Sequence, residues 1–419
     1  MHNNMHERIT EVALACLPAR CRRLFGKEAG RFCAVFANYP DLLNSPDSSR
    51  NTEIDPVWET FFPDPAQNHL TESDYAAREP ALTQARFYIS SAVRALRRND
   101  LPCALKLMGC LAHFIEDSAQ PLHTFPYSRL LDLLPAPPKF FYVDMHARTE
   151  RGLKIAPADI PGIDYTPRLL GLDEQQALFH FRLAFERSLK EATARIIPIT
   201  QAVYRGDDPT ARALTIELYL GSARFVADAI VTICSLADGP APASERKRLA
   251  RFDLTRLDPE PDSWFGVHHE NARAVYGVCI NVARPGLVIV HEKEKRQTVP
   301  MALLTGWKRR TFKTGINVLP WRGRSQLNYR LLPGAYRRLA VLAGLHPDIG
   351  ARGRVCFKIV GDGKTLYESG PVTGRESARN IQIDIARVKI LSLLVEDRQA
   401  EPADFRFNSA VWAEPLLLR

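Results

Sequence analysis

At 419 residues the chain is longer than a typical single domain, so two domains with at least one large core are expected. Its 46% hydrophobic and 25% charged residues exclude a disordered or fibrous protein. The 56 Lys and Arg against 47 Asp and Glu leave a formal charge of +9, a dispersed excess that favours phosphate-bearing partners in general without marking a binding face.

The first residues, Met1-His2-Asn3-Asn4-Met5-His6, lack the basic, apolar, small-residue order of a signal peptide. From His6 to about Asp238 apolar residues recur at helical spacing, as in Ile9, Val12, Ala13, Leu14 and Leu17, which predicts a mainly α domain. Its longest helices are expected over 174–203 and over 209–236, where Pro209 suits a first turn and Gly239 follows the end. His180, among Phe179, Phe181 and Leu183, reads as a core residue. The stretches 38–80 and 121–172 are rich in Pro, Asp, Asn and Ser, and irregular segments of that length inside a domain tend to carry function. With no run of about 18 apolar residues, no transmembrane segment is expected. The eight cysteines form no C-x-x-C pair, which argues against a thiolate zinc site and for small core residues.

Composition changes over 238–263, where Pro, Ala, Asp and a basic run read as a linker. Beyond Ala274 the apolar period shortens to two, with strands expected near 287–291, 326–331, 338–342, 354–360, 381–385 and 389–395. The expected organisation is multidomain α and β. A helical domain spans 1–238, a linker with leading strands 239–296, and a β-sandwich 297–419.

Chemistry concentrates in Leu111-Ala-His-Phe-Ile-Glu-Asp-Ser-Ala-Gln-Pro-Leu-His123. His113 and Asp117 are four apart on a helical pattern, so both project from one face and can reach one cation. Pro121 turns the chain out of the helix and brings His123 back toward the same neighbourhood. By composition, H-x3-D-x5-H arises about 0.02 times by chance in a chain of this make-up. His146 and Glu150 repeat the four-residue spacing; by themselves they fit an exposed helix pair equally well. Imidazole with carboxylate suits zinc better than calcium or magnesium.

The segment around His113, Asp117, Pro121 and His123, with Tyr39-Pro-Asp41 upstream and His146-x3-Glu150 downstream, resembles the superfamily of zinc-dependent phospholipases C and fungal single-strand-specific nucleases. The resemblance covers roughly residues 5–235 and implies an all-α fold with up to three zinc ions in a cleft. It assigns Asp41, His69, His113 and Asp117 to one zinc, with Asp117 bridging, and His123, His146 and Glu150 to a second. A third would fall to His6 and the N-terminal region, although the family begins with a Trp and this sequence reads Met1-His2. His69 also lies farther beyond Asp41 than the family pattern places it, and Glu150 is the phospholipase choice where nucleases have Asp.

The implied chemistry is hydrolysis of a phosphodiester by a metal-activated water, with Asp41 and Asp117 as the catalytic carboxylates and Asp41 as general base. A phospholipid is the implied substrate; single-stranded nucleic acid is the alternative, and a metal-poor scaffold is the non-enzymatic one. The family resemblance implies export.

From about 297 to 419 the chain resembles a second family, the NPCBM carbohydrate-binding-like modules attached to glycosidases and other secreted enzymes. The matching stretches are Lys313-Thr-Gly-Ile-Asn-Val-Leu319, Tyr329-Arg-Leu-Leu-Pro-Gly-Ala-Tyr336, Val355 to Ser369 and Asn408-Ser-Ala-Val-Trp412. This implies a β-sandwich with a glycan as ligand. Tyr329, Trp321 and Tyr336 are candidates to stack on a sugar face, though aromatic residues of a sandwich are more often core.

Overall fold

The structure, a computed structural model, describes residues 5–44, 78–124, 134, 153–260, 263, 278–283, 299–320, 323–398 and 408–419. The chain divides into two compact units, Met1–Glu245 and Arg246–Arg419.

The first unit is helical. Among the described residues it comprises α1 (Met5–Cys16), α2 (Ala19–Phe25), α3 (Ala29–Ala34), α4 (Tyr39–Asn44), α5 (Arg78–Arg97), α6 (Leu101–Asp117), α7 (Glu174–Tyr204) and α8 (Asp208–Asp238). Three helices start on an aspartate whose carboxylate accepts from a backbone N–H one turn on: Asp100 from Cys103, Asp173 from Gln176, and Asp207 from Thr210. Each cap satisfies a donor that the helix itself leaves unpaired. Gly239, at φ 122°, ends α8 in a conformation that side chains disfavour.

The helices bury their apolar faces on one another. Phe114 of α6 stacks on Phe185 of α7 with ring centroids 5.0 Å apart, and Phe181 meets Phe225 of α8 at 4.9 Å. By length and composition α8 could cross a membrane, yet 67% of its most apolar window is buried inside the unit, and it packs on α1, α5, α6 and α7. A central core position accounts for that composition. His180 is half-buried rather than core, with its ring edge-on to Phe179. Six of the eight cysteines are buried and none is disulfide-bonded.

A short helix, α9 (Ala243–Leu249), leads into the second unit. Its strands are β1 (Arg251–Asp253), β2 (Val278–Ile280), β3 (Met301–Thr305), β4 (Lys308–Phe312), β5 (Gly315–Val318) and β6 (Arg324–Arg330). They continue with β7 (Arg338–Leu345), β8 (Arg354–Gly361), β9 (Lys364–Thr373), β10 (Arg379–Asp384), β11 (Ile390–Asp397) and β12 (Ala410–Leu418). One sheet has the order β10-β7-β12-β5-β2, with β1 also on β12; the other is β6-β11-β8-β9; β3 and β4 form a hairpin. The named strands all pair antiparallel. Trp412 of β12 meets Phe357 of β8 edge-to-face at 5.0 Å, which joins the two sheets through the core. Tyr329 and Tyr336 are 1% and 3% exposed, so both are core residues and neither presents a ring to a sugar. Trp321 lies outside the described residues, as do 287–291.

Candidate metal centre

Four segments of the helical unit converge on one cluster. The length of α6 brings His113 and Asp117 onto one face, and Ser118 and Pro121 then end the helix in a single 3-10 turn, Pro121–His123. That turn aims His123 back, with Nδ1 3.5 Å from Asp117 Oδ1. His113 Nε2 lies 3.4 Å from Asp117 Oδ2 and 3.8 Å from Oδ1 of Asp41, which α4 supplies. His6, on the first turn of α1, stacks its ring on His113 at 4.2 Å and places Nε2 3.9 Å from Asp117 Oδ1. Asp117, itself 2% exposed, thus faces three imidazoles.

Both inner histidines are held from behind. His113 is fully buried, and its Nδ1 lies 2.9 Å from the carbonyl of Ala37. A carbonyl only accepts, so Nδ1 carries a proton and Nε2 is the ring nitrogen turned toward the carboxylates, the one available to a metal. His6 Nδ1 bonds Glu116 Oε2 at 2.7 Å, and Thr10, one turn along α1, donates to the other Glu116 oxygen at 2.7 Å. Burial opposes a charge on His6, but the Glu116 hydrogen bond and the charges of Glu116, Asp117 and Asp41 outweigh it and push its pKa up to about 9.

The close approach behind His113 depends on Gly109, one turn earlier on the same face. A Cβ there would come within 2.6 Å of the Phe36 backbone, in the turn that carries Ala37. Gly109→Ala is therefore expected to cost about 1–3 kcal/mol as overpacking and to weaken any metal binding at this cluster by displacing the Ala37 carbonyl. Thermal melts with metal titrations check this; an unchanged affinity would detach His113 from its backbone support.

The donor set fits a metal. Ligand atoms of His6, Asp41 and His113 all lie within 4.8 Å of one another. Donors bound to tetrahedral zinc at ~2.0–2.1 Å lie roughly 3.3–3.4 Å apart. The observed separations of 3.4 to 3.9 Å approach that spacing and exceed an ordinary hydrogen bond. His69, His146 and Glu150 lie outside the described residues. Sequence reasoning did not single out Glu116, Thr10, Gly109 or the Ala37 carbonyl. Only Glu116 had a signal, a second acid at the end of an apolar helix.

The NPCBM/NEW2 domain family matches residues 286–418. No curated protein matches the chain. Among solved structures, the chain is similar to the alpha-toxin of Clostridium absonum, with 11% identity and TM-score 0.36 over 100% of this chain and 94% of that one. The alpha-toxin of a Clostridium perfringens avian strain gives 11% identity and TM-score 0.33 over 96% and 89%. The CBM51 module of Clostridium perfringens GH95, solved with methyl-galactose, gives 15% identity and TM-score 0.31 over 40% of this chain and 99% of that one. The chain spans 15% to 47% of the length of larger CBM51-bearing chains that it also matches.

Proposed function

We propose that the helical unit is a zinc-dependent phosphodiester hydrolase acting on phospholipids, carried beside a glycan-binding module. The convergence of His6, Asp41, His113, Asp117 and His123 from three separate stretches of the sequence is the observation that supports the first part. The NPCBM match to residues 286–418 supports the second.

In this reading His113, Asp117 and Asp41 would hold one zinc, with Asp117 shared with a second. His123 would join the second with His146 and Glu150, His69 would join the first, and His6 with the N-terminal region would take a third. When bound, zinc supplies Lewis acidity that activates water and neutralises phosphoryl oxygens. The protein's own contribution is orientation and proton handling. Ala37 and Glu116 fix the two imidazole rings, and the buried Asp117 supplies a fixed negative charge. Asp41 has a side chain 48% exposed beside this buried group, where it can accept a proton from an attacking water and pass it to solvent.

Metal analysis of the purified full chain is expected to give at least one zinc per molecule, and chelation should abolish release of phosphocholine from phosphatidylcholine. A chain with less than one zinc would return the helical unit to a scaffold role. Faster cleavage of single-stranded DNA than of phosphatidylcholine would make it a nuclease.

A further inference from the structure

The β3–β4 hairpin has two different ends. At its base Met301, Leu303 and Phe312 are buried against Val411 and Ala413 of β12, with Leu342 and Ala378 packed alongside. Toward its tip every residue from Gly306 to Thr311 is exposed. Thr305 pairs with Lys308, so Gly306 and Trp307 form a two-residue turn. Gly306, at φ 61°, takes the left-handed first position that such a turn assigns to glycine. Trp307 follows at the apex with 97% of its surface exposed; the next large apolar side chain among the described residues, Ile280, reaches 43%.

That exposure is not the product of a loose loop. Ser377 Oγ accepts from Gly306 N–H at 2.9 Å, and Ala378 N–H donates to the Leu304 carbonyl at 2.7 Å, so two hydrogen bonds tie the β3 side of the turn to the 377–378 segment. The turn requires glycine at its first position but makes no demand for an aromatic residue at its second. Tryptophan is among the more buried residue types on average, and holding its ring in water forgoes a large hydrophobic gain.

Basic residues adjoin the tip in sequence and through the 377–378 bonds. Lys308, Arg309 and Arg310 follow Trp307 directly, and Arg375 is exposed on the loop that latches the tip. Arg309 is matched by Asp348 at 2.6 Å and Arg310 by Glu414 at 3.1 Å, while Lys308 and Arg375 have no carboxylate partner among the described residues. The apex therefore carries an exposed indole with Lys308 next to it in sequence and Arg375 on the loop that bonds the turn, both exposed.

We propose that this apex is a docking element for anionic phospholipid membranes. Trp307 enters the headgroup region, where an amphipathic indole is at home, and Lys308 and Arg375 face acidic headgroups. A glycan would need hydrogen-bonding groups arranged beside the ring in a concave site, and a ring 97% exposed at a hairpin tip is covered by no such wall among the described residues. The inference does not depend on the hydrolase reading, because binding is measured without turnover.

The test is co-sedimentation of the full-length protein with phosphatidylcholine vesicles with or without about 30% phosphatidylserine, at low and high salt. Wild type is expected to bind the acidic vesicles, more weakly as salt rises, and brominated lipid should quench part of its fluorescence. Trp307→Ala should weaken binding roughly ten-fold and remove that quenching, and Lys308→Ala should weaken it about five-fold. Neither variant should shift the melting temperature. Equal binding by Trp307→Ala, or no vesicle binding by wild type, overturns the proposal. So does a loss confined to methyl-galactoside binding, which would make the tip a sugar platform.

Discussion

Asp117→Asn is expected to remove at least one zinc per chain and to lower phosphodiester hydrolysis by about three orders of magnitude, with the far-UV circular dichroism unchanged. Asn fills the same volume and keeps a carbonyl oxygen, so packing around α6 is preserved. What disappears is the negative charge that faces His6, His113 and His123 at 3.4 to 3.9 Å. A neutral amide binds zinc poorly and cannot bridge two cations. Metal content, hydrolysis of phosphatidylcholine and circular dichroism read the three parts separately. Full zinc with full rate would move the metal away from Asp117; lost zinc together with lost helix would make the residue structural.

The position of Asp117 already shows why a carboxylate there needs a reason. It and Glu116 close α6, where the helix dipole presents partial negative charge and an acidic side chain is disfavoured by about 0.3–1 kcal/mol. Both are 2% exposed, which adds a desolvation cost. Local physics is violated where imidazoles gather, as expected of functional positions.

Much of this was legible in the sequence because the signals are local. The four-residue step from His113 to Asp117 and the break at Pro121 sufficed to bring His123 within 3.5 Å of Asp117. Pro209 and Gly239 marked the two ends of α8. The supports behind the histidines were not legible, because they are long-range. Glu116 meets His6 across 110 residues, and the group that orients His113 is a backbone carbonyl, which has no residue signature. The β3–β4 hairpin was missed for another reason. Met301-Ala-Leu-Leu-Thr is continuously apolar and Lys308-Arg-Arg-Thr is continuously polar, so neither strand alternates. β3 buries Met301, Ala302 and Leu303 on both of its faces, while β4 exposes Lys308 to Thr311 on both of its own.

A contrast in burial separates two tryptophans and gives the second large effect. Trp412 is fully buried at the centre of β12, opposite Ile316 of β5 and Ala343 of β7, with its ring on Phe357 of the facing sheet. Trp412→Ala is expected to destabilise the second unit by about 3–5 kcal/mol, a large share of the ~5–15 kcal/mol that holds a domain together. For a unit of this size that lowers its melting transition by roughly 6–20 °C. Trp412→Phe should be far milder, below about 1.5 kcal/mol, because the indole N–H finds no acceptor among the described residues and its removal leaves no polar group behind. Calorimetry on the full chain, with zinc content measured in parallel, reads the change in the second unit against the first. If Trp412→Ala melted like wild type, the sheets would not be joined through this ring. If Trp307→Ala, at 97% exposure, were instead the destabilising change, the hairpin tip would be packed against the fold rather than presented to a membrane.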